Sequence, residues 1–358
     1  MSAYLGPVRT AVITFPFLAL LLALPFLVVV YRRYGAFSWW RAIVIYSFVF
    51  YLLSAYFLII LPLPAREAVA QFTGAKYNLT PLMALRYFIH TTVFVPSNPH
   101  TWLAALKQSS FIQPFFNIVL TIPFGFYLRY YFKRSVPQII VMSFGLSLFF
   151  ELTQLSGLYG FYPRPYRLFD VDDLILNTTG GLVGGVLAPI LMRALPSRDT
   201  IDAKSQARGA RVTFARRLAA FLVDFVLFSQ VIGLMIKFLF HLLGLDQLPD
   251  FLSEDVLPLF FVFVIWPAFN NGQTLGKGLV RIKIVRTDGQ AVGFWRLLLR
   301  EGLLYGLAFS SLVGLNNFFI AYFAKFQRTQ INLAALGFFA VLVFLFMILS
   351  LIHISEPT

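Results

Sequence analysis

Polar side chains interrupt three consecutive apolar segments of the sequence. Asn117 lies in the first segment, Glu151 and Gln154 lie in the second, and Asn177 lies in the third. Amide and carboxylate side chains are costly in hydrocarbon, so they usually face an interior cavity or a polar partner. Two interpretations remain open: a polar pocket, or a hydrogen-bond network that joins three helices.

The loop before the third segment adds charged groups to the same region. It contains Arg164, Arg167 and Asp170, and Asp173 opens the segment that follows. In the pocket interpretation these groups surround a ligand. In the network interpretation Arg167 pairs with an aspartate and holds the loop in place.

The segments that carry these residues have the length of transmembrane helices. A span needs about 20 mostly apolar residues to cross a hydrocarbon layer ~30 Å thick. Hydrophobic residues make up 59% of the 358 residues, and charged residues only 12%. We therefore predict an all-α fold, a polytopic transmembrane helical bundle of about nine spans in two helical domains. The predicted spans lie near residues 11–31, 42–62, 109–131, 137–157, 173–193, 218–243, 256–270, 302–323 and 331–350.

The charged loops predict the orientation of the chain. Lys and Arg gather in every second loop, which is typical of the cytoplasmic loops of membrane proteins. These basic loops are residues 31–41, 129–136, 193–217 and 271–300. We predict a multi-pass protein of the bacterial cytoplasmic membrane with its N-terminus outside. The net charge of +14 then has a topological cause, so we predict the lipid bilayer as a partner and no nucleic acid.

This topology places Asn117, Glu151 and Asn177 at a similar depth. Counted along their helices from the outer surface, they lie about 12, 9 and 7 Å into the membrane. The candidate pocket would therefore open to the outer leaflet. Residues 80–104 of the preceding loop are apolar but are broken by prolines, so we predict an interfacial or re-entrant segment there.

Glycine pairs predict close contacts between helices. Gly180 and Gly184 have the spacing G-x-x-x-G, as do Gly181 and Gly185, and Gly125 lies in the third span. Small residues at this spacing let another helix approach closely.

Several kinds of site are excluded by residue type. The chain has no cysteine, which excludes disulfides, zinc–thiolate sites and a thiol nucleophile. Its four histidines include no pair with metal-ligand spacing, and no cofactor motif is present. We predict no metal and no cofactor.

A second set of polar residues lies in the other half of the chain. Arg217 and Asp224 bracket the entry to the sixth predicted span, about two helical turns apart, so they face the same way. This spacing favours an ion pair that anchors the helix, with part of an ion or solute path as the alternative. We expect a further polar partner for Asp224, with Arg300 and Lys277 as the candidates.

Residues 42–193 resemble the VanZ-like family in three ordered blocks. The blocks are N-I-V-L-T-I-P-F-G-F from Asn117, E-L-T-Q-L from Glu151 and R-L-F-D-V-D-D-L-I-L-N from Arg167. The family pattern falls on Asn117, Pro123, Gly125, Glu151, Gln154, Arg167, Asp170, Asp173, Asn177 and Gly180. The resemblance implies a link to resistance against the glycopeptide antibiotic teicoplanin, and it implies no particular reaction.

The stretch from Arg217 to Glu301 resembles the RDD family, which is named for one arginine and two aspartates. Arg217 and Asp224 match the first two, whereas the second aspartate is missing. The resemblance implies that this second aspartate, sharing a proton with Asp224, is a further candidate for its polar partner. Residues 349–358 are similar to the translation of a sequencing adapter, so we predict a non-native tail. The predicted domains are a VanZ-like membrane domain (1–195, five spans), a basic cytoplasmic linker (196–211), an RDD-like membrane domain (212–348, about four spans) and the tail (349–358).

Three classes of function follow from these residues. The first is a cell-envelope protein that binds a lipid-linked cell-wall precursor or a glycopeptide in the outer-leaflet pocket and contributes to teicoplanin-type tolerance. The second is an enzyme on a membrane lipid, with Glu151 and the Asp170/Asp173 pair as acid–base groups or cation ligands. The third is an ion or solute transporter. We favour them in that order.

Overall fold

The computed structural model describes residues 2–245, 256–286, 290, 292–301 and 355–357. The chain divides into two compact units. The first comprises Met1–Leu20 and Ser38–Ile201, and the second comprises Leu21–Phe37 and Asp202–Thr358.

Long apolar helices and a set of short elements make up the chain as far as residue 209. In order they are α1 (Ser2–Tyr34), α2 (Trp39–Ile60), α3 (Arg66–Ala70), β1 (Tyr77–Asn78), α4 (Met83–Thr91), α5 (His100–Leu106), α6 (Ser109–Tyr130), α7 (Val136–Leu155), α8 (Gly157–Gly160), β2 (Phe169–Asp170), α9 (Val171–Met192) and α10 (Arg198–Gly209).

Six helices in the described part of the chain are long and apolar enough to cross a membrane. They match the first six predicted spans, and the prediction of an all-α membrane protein is confirmed. The seventh predicted span, 256–270, corresponds to a shorter apolar helix, Leu257–Phe269. The predicted spans 302–323 and 331–350 lie outside the described residues.

Local sequence signals fix where several of the long helices begin. Ser38 precedes α2 and accepts a hydrogen bond from the backbone N–H of Arg41. At the start of α7 the Gln138 side chain accepts from the backbone N–H of Ser135. Asp170 precedes α9, and its carboxylate accepts from the backbone N–H of Asp172 at 2.9 Å. Such caps satisfy backbone donors that have no partner within the helix.

The glycines of α9 lie where other helices pass closest to it. Gly180 and Gly184 face backbone carbonyls of α6, those of Ile118 and Ile122. On the adjacent face, Gly181 and Gly185 lie against side chains of α7. A Cβ atom at any of these positions would overlap its neighbour, so α9 packs closely between α6 and α7.

The proline-broken region 80–104 forms two short helices, α4 and α5, that are too short to span a bilayer. Large apolar side chains on both helices are exposed, among them Leu85, Ile89 and Leu103. Just before α4, strand β1 pairs in parallel with β2, so that Asn78 lies opposite Asp170. The pairing joins this region to the start of α9.

The predicted linker 196–211 contains a helix, α10. Its first turn is attached to the α6–α7 turn. Arg198 donates to the Tyr131 carbonyl at 2.9 Å, and Lys133 forms an exposed ion pair with Asp199.

The second unit contains a helical span in three parts, α11 (Phe214–Leu222), a π-helical stretch (Val223–Phe228) and α12 (Ser229–Leu242). Later elements are α13 (Leu257–Phe260), a π-helical stretch (Phe261–Ile265), α14 (Trp266–Phe269), α15 (Leu275–Leu279), β3 (Ile282–Ile284), α16 (Phe294–Glu301) and β4 (Ser355–Pro357), which pairs antiparallel with β3. Residues from the end of α1 belong to its core, where Tyr31 packs with Ala219, Ala220, Val280 and Ile282. That residues 349–358 form a non-native tail stays a prediction.

Candidate functional site

Polar side chains from α6, α7 and α9 meet in one network. Asn117 donates its amide hydrogen to the Asp173 carboxylate at 2.5 Å. Asn177 donates to the Ser147 hydroxyl at 2.9 Å, and that hydroxyl donates to the Asp173 carbonyl at 3.1 Å. Thr121 donates to the Asn177 carbonyl at 2.7 Å. Three helices are thus joined by side chains at one level.

The spacing of these residues explains why they converge. Each helix contributes two polar residues four positions apart: Asn117 and Thr121, Ser147 and Glu151, Asp173 and Asn177. Residues at this separation lie on the same helix face, one turn apart. We call these six residues the three-helix cluster. Sequence reasoning missed Thr121 and Ser147, although their positions one turn from Asn117 and Glu151 were a usable signal.

Glu151 is the most buried acid of the cluster, with 2% of its surface exposed. Its carboxylate accepts a hydrogen bond from the backbone N–H of Asp170 at 3.0 Å. Asn117 and Asp173 are only partly buried. The cluster therefore combines an enclosed carboxylate with an amide and a second carboxylate that remain partly accessible.

The aspartates at the start of α9 have separate partners. Asp170 accepts from the Asn78 side chain at 3.1 Å, in addition to capping the helix. Asp172 is 4% exposed, and its two oxygens accept from the backbone N–H groups of Leu82 at 2.5 Å and Ala84 at 2.7 Å. Asp172 was absent from the predicted site, yet it attaches the start of α4 to α9.

The basic residues of the loop bind carbonyls. Arg167 donates to the carbonyls of Ile59 and Leu61 at the end of α2, at 2.9 and 3.5 Å. Gln154 donates to the Ile59 carbonyl at 3.1 Å, and Arg164 donates to the Gly74 carbonyl at 2.8 Å. The last carbonyls of a helix lack partners within it and carry partial negative charge, which suits a guanidinium.

Arg167 does not form the ion pair that the network interpretation assigned to it. Within the described residues the structure shows no ion pair between Arg167 and Asp170 or Asp173. Arg167 in the loop and Glu151 on α7 nevertheless lie close enough to Tyr166 to affect its ionisation. Burial raises the pKa of the Tyr166 hydroxyl to about 12, with Arg167 lowering that pKa and Glu151 raising it.

An apolar cavity of ≈ 330 Å³ lies between α4, the first half of α6 and the start of α9. It is lined by Leu82, Ala84, Leu85, Phe88, Ser110, Phe111, Pro114, Phe115, Ile118, Asp172, Ile175 and Leu176. Asn117, Glu151 and Asn177 are not among these residues. The cavity is next to the three-helix cluster along the chain, because Ile118 follows Asn117 and Asp172 precedes Asp173.

The second unit encloses Asp224 completely. Its carboxylate accepts from the Thr274 hydroxyl at 2.5 Å and from the backbone N–H of Gly276 at 2.6 Å, at the start of α15. Lys277 lies 3.7 Å from the Glu301 carboxylate, and Arg300 lies 3.2 Å from it. Burial lowers the pKa of Lys277, while Glu301 and Asp224 raise it.

Arg216, the neighbour of the predicted Arg217, has a clear structural role. It is 3% exposed and donates to the carbonyls of Val280, Gly209 and Arg281 at 2.8 to 3.1 Å. These bonds attach α11 to the segment that leads into β3. Among the residues that the structure describes, no group of three or more His, Asp or Glu side chains could hold a metal ion.

Comparison with known families gives two matches. The VanZ/LLP1 family model matches residues 48–192, and the RDD family model matches residues 211–355. A search of curated proteins and a search of solved structures each found no match. Both resemblances inferred from the sequence are confirmed: the part of the chain that matches the VanZ/LLP1 family model is followed by the part that matches the RDD family model.

Proposed function

We propose that the VanZ-like unit binds a cell-envelope ligand at the outer leaflet and thereby contributes to teicoplanin-type tolerance. The ligand is a lipid-linked cell-wall precursor or a glycopeptide. The observation that carries this proposal is the three-helix cluster. The carboxyl groups of Glu151 and Asp173 and the amides of Asn117 and Asn177 converge there from three spans of an otherwise apolar bundle.

A purely structural role explains only part of this cluster. The hydrogen bonds of Asn177, Ser147 and Thr121 satisfy polar groups that would otherwise be costly in the membrane. The Asp173 carboxyl group accepts a hydrogen bond from Asn117 within this network, but a neutral acceptor would serve Asn117 equally well. The network alone therefore does not explain a second acidic group near the buried Glu151. The partly exposed Asp173 can accept hydrogen bonds from amide or ammonium groups of a ligand.

The predicted topology supports the outer leaflet as the location. The basic loops 31–41, 129–136 and 193–217 are assigned to the cytoplasm by their charge. The three-helix cluster lies near the opposite ends of α6, α7 and α9, where the chain carries Asp170 and the α4 region. Ligands of the cell wall are reached from that side.

Glu151→Gln is the sharpest test of this proposal. The glutamine side chain would keep the shape of the glutamate and could still accept the hydrogen bond from Asp170, so the fold should survive. The ionisable carboxyl group would be lost. We expect a susceptible bacterial host that produces this variant to lose the rise in the minimum inhibitory concentration of teicoplanin that the wild-type chain confers.

Ser143→Ala is the matched control. Ser143 is also buried on α7, and its hydroxyl has no hydrogen-bond partner in the structure, so its loss removes no bond. Both variants should be produced at wild-type levels and elute as single peaks in detergent. Undiminished tolerance in the Glu151→Gln host would contradict the proposal and leave the cluster a structural network.

A further inference from the structure

The apolar cavity is large enough for a ligand and offers it almost no polar contact. Its volume of ≈ 330 Å³ is at the lower end of the range of small-molecule sites, about 300–1,000 Å³. Ten of the twelve lining residues are Leu, Ala, Phe, Pro or Ile, and the others are Ser110 and Asp172. An occupant must therefore be held by burial of apolar surface.

The carboxylate of Asp172 is not available to an occupant. Both of its oxygens accept hydrogen bonds from the backbone of the α4 region, from Leu82 and Ala84. Its role is to fix α4, which forms one wall of the cavity. The remaining surface suits a hydrocarbon chain, which requires no hydrogen-bond partner.

Several lining residues also face the surroundings of the protein. Leu85 is 51% exposed, Phe115 is 48% exposed and Ile175 is 39% exposed. Phe115 and Ile175 lie on the spanning helices α6 and α9, and exposed apolar surface on such helices contacts lipid chains in a membrane protein. The cavity is therefore continuous with a surface at which lipid hydrocarbon is the solvent.

We propose that this cavity binds one hydrocarbon chain of a membrane lipid whose polar head group lies at the three-helix cluster. The assignment of the head group rests on the function proposed above. The chain site follows from the cavity itself. Ile118 and Asp172 line the cavity, and their neighbours Asn117 and Asp173 are bonded to each other, so the apolar and polar parts adjoin.

A photoreactive lipid provides the test. The full chain is placed in nanodiscs that contain phosphatidylglycerol with a diazirine in one acyl chain, and the crosslinked residues are mapped by mass spectrometry. We expect a peak of labelling on the cavity walls in α4, α6 and α9. Labelling of the cavity walls no stronger than that of the exposed face of α1 at Leu20 and Leu21 would overturn the inference.

Two tryptophan variants make the test specific. Ser110→Trp would fill the cavity from the α6 wall, whereas the adjacent Ser109 is exposed and does not line the cavity. We expect labelling of the cavity walls to be lost in Ser110→Trp and retained in Ser109→Trp. Equal labelling in both variants would contradict the chain site. Ala84→Phe fills the cavity from the α4 wall and should repeat the loss if Ser110→Trp fails to fold.

The two proposals can fail separately. Cavity labelling that persists in Glu151→Gln, together with unchanged teicoplanin tolerance, would support the chain site and reject the head-group function. Loss of tolerance in Glu151→Gln without preferential cavity labelling would support the proposed function and reject the chain site.

Discussion

In the first unit, polar side chains from three long helices meet face to face, whereas in the second unit Asp224 is enclosed by the start of one short helix. Asn117 and Asp173 in the three-helix cluster stay partly exposed. Asp224 and its partner Thr274 are fully buried, with 0% exposure each. A ligand can therefore reach Asn117 and Asp173 in the three-helix cluster. It cannot reach the Asp224 carboxylate in the second unit.

The two clusters also differ in how they are held together. The three-helix cluster depends on glycines that let α9 approach α6 and α7. The Asp224 site depends on hydrogen bonds between a carboxylate and α15, within a span interrupted by a π-helical stretch. π-helical insertions are frequent at functional sites, but here the insertion places a structural acceptor. The comparison predicts different responses to substitution.

The largest expected effect concerns which side of the membrane each cluster faces. The chain has no cysteine, so single cysteines report position directly. Ser97 lies in an exposed loop near α5, and Gln206 lies on the exposed side of α10. Each is replaced singly by cysteine. The basic-loop pattern predicts that an impermeant thiol reagent labels only Ser97→Cys in intact cells.

Permeabilised cells provide the control for this labelling. Both cysteines should react once the membrane is opened, because both positions are exposed in the structure. Labelling of Gln206→Cys alone in intact cells would reverse the orientation. The three-helix cluster would then face the cytoplasm, and binding at the outer leaflet would have to be abandoned.

The next largest effect is expected at Asp224. Asp224→Ala leaves the Thr274 hydroxyl and the Gly276 N–H buried without their acceptor. Two lost hydrogen bonds to a charged group should lower the free energy of unfolding by ~3 kcal/mol. Thermal unfolding of the purified chain in detergent would measure this loss.

Asp224→Asn separates the charge from the hydrogen bonds. An amide oxygen can still accept from Gly276, and the Thr274 hydroxyl can rotate to accept from the amide nitrogen. We expect Asp224→Asn to be clearly more stable than Asp224→Ala. Equal and large losses in both variants would instead show that the negative charge, next to Lys277, is what the site requires.

The sequence alone predicted the helical membrane fold and much of the first cluster. Long apolar runs determine spans with little ambiguity, and Asn117, Glu151 and Asn177 stand out because polar groups are costly there. The partners of Arg167 were not predictable, because a guanidinium can bind carbonyl groups as readily as a carboxylate. Asp172 was missed because its role depends on the fold of residues 74–84, for which the sequence carries no periodic pattern.

A smaller effect should distinguish packing glycines from ordinary ones. Gly125 on α6 lies against the backbone of Gly181 and Gly185, so a Cβ atom there would overlap the main chain of α9. Gly145 on α7 has nothing within 4 Å of the same position. Gly125→Ala should therefore cost about 2 kcal/mol through forced separation of the helices. Gly145→Ala should instead stabilise α7 by about 0.5–1 kcal/mol, since alanine loses less conformational entropy in a helix.

Thermal unfolding in detergent compares the two variants directly. A loss of stability at both positions would mean that Gly145 also faces a neighbour in the membrane, whereas no loss at either would show that α6 and α9 do not depend on close backbone contact to hold the three-helix cluster.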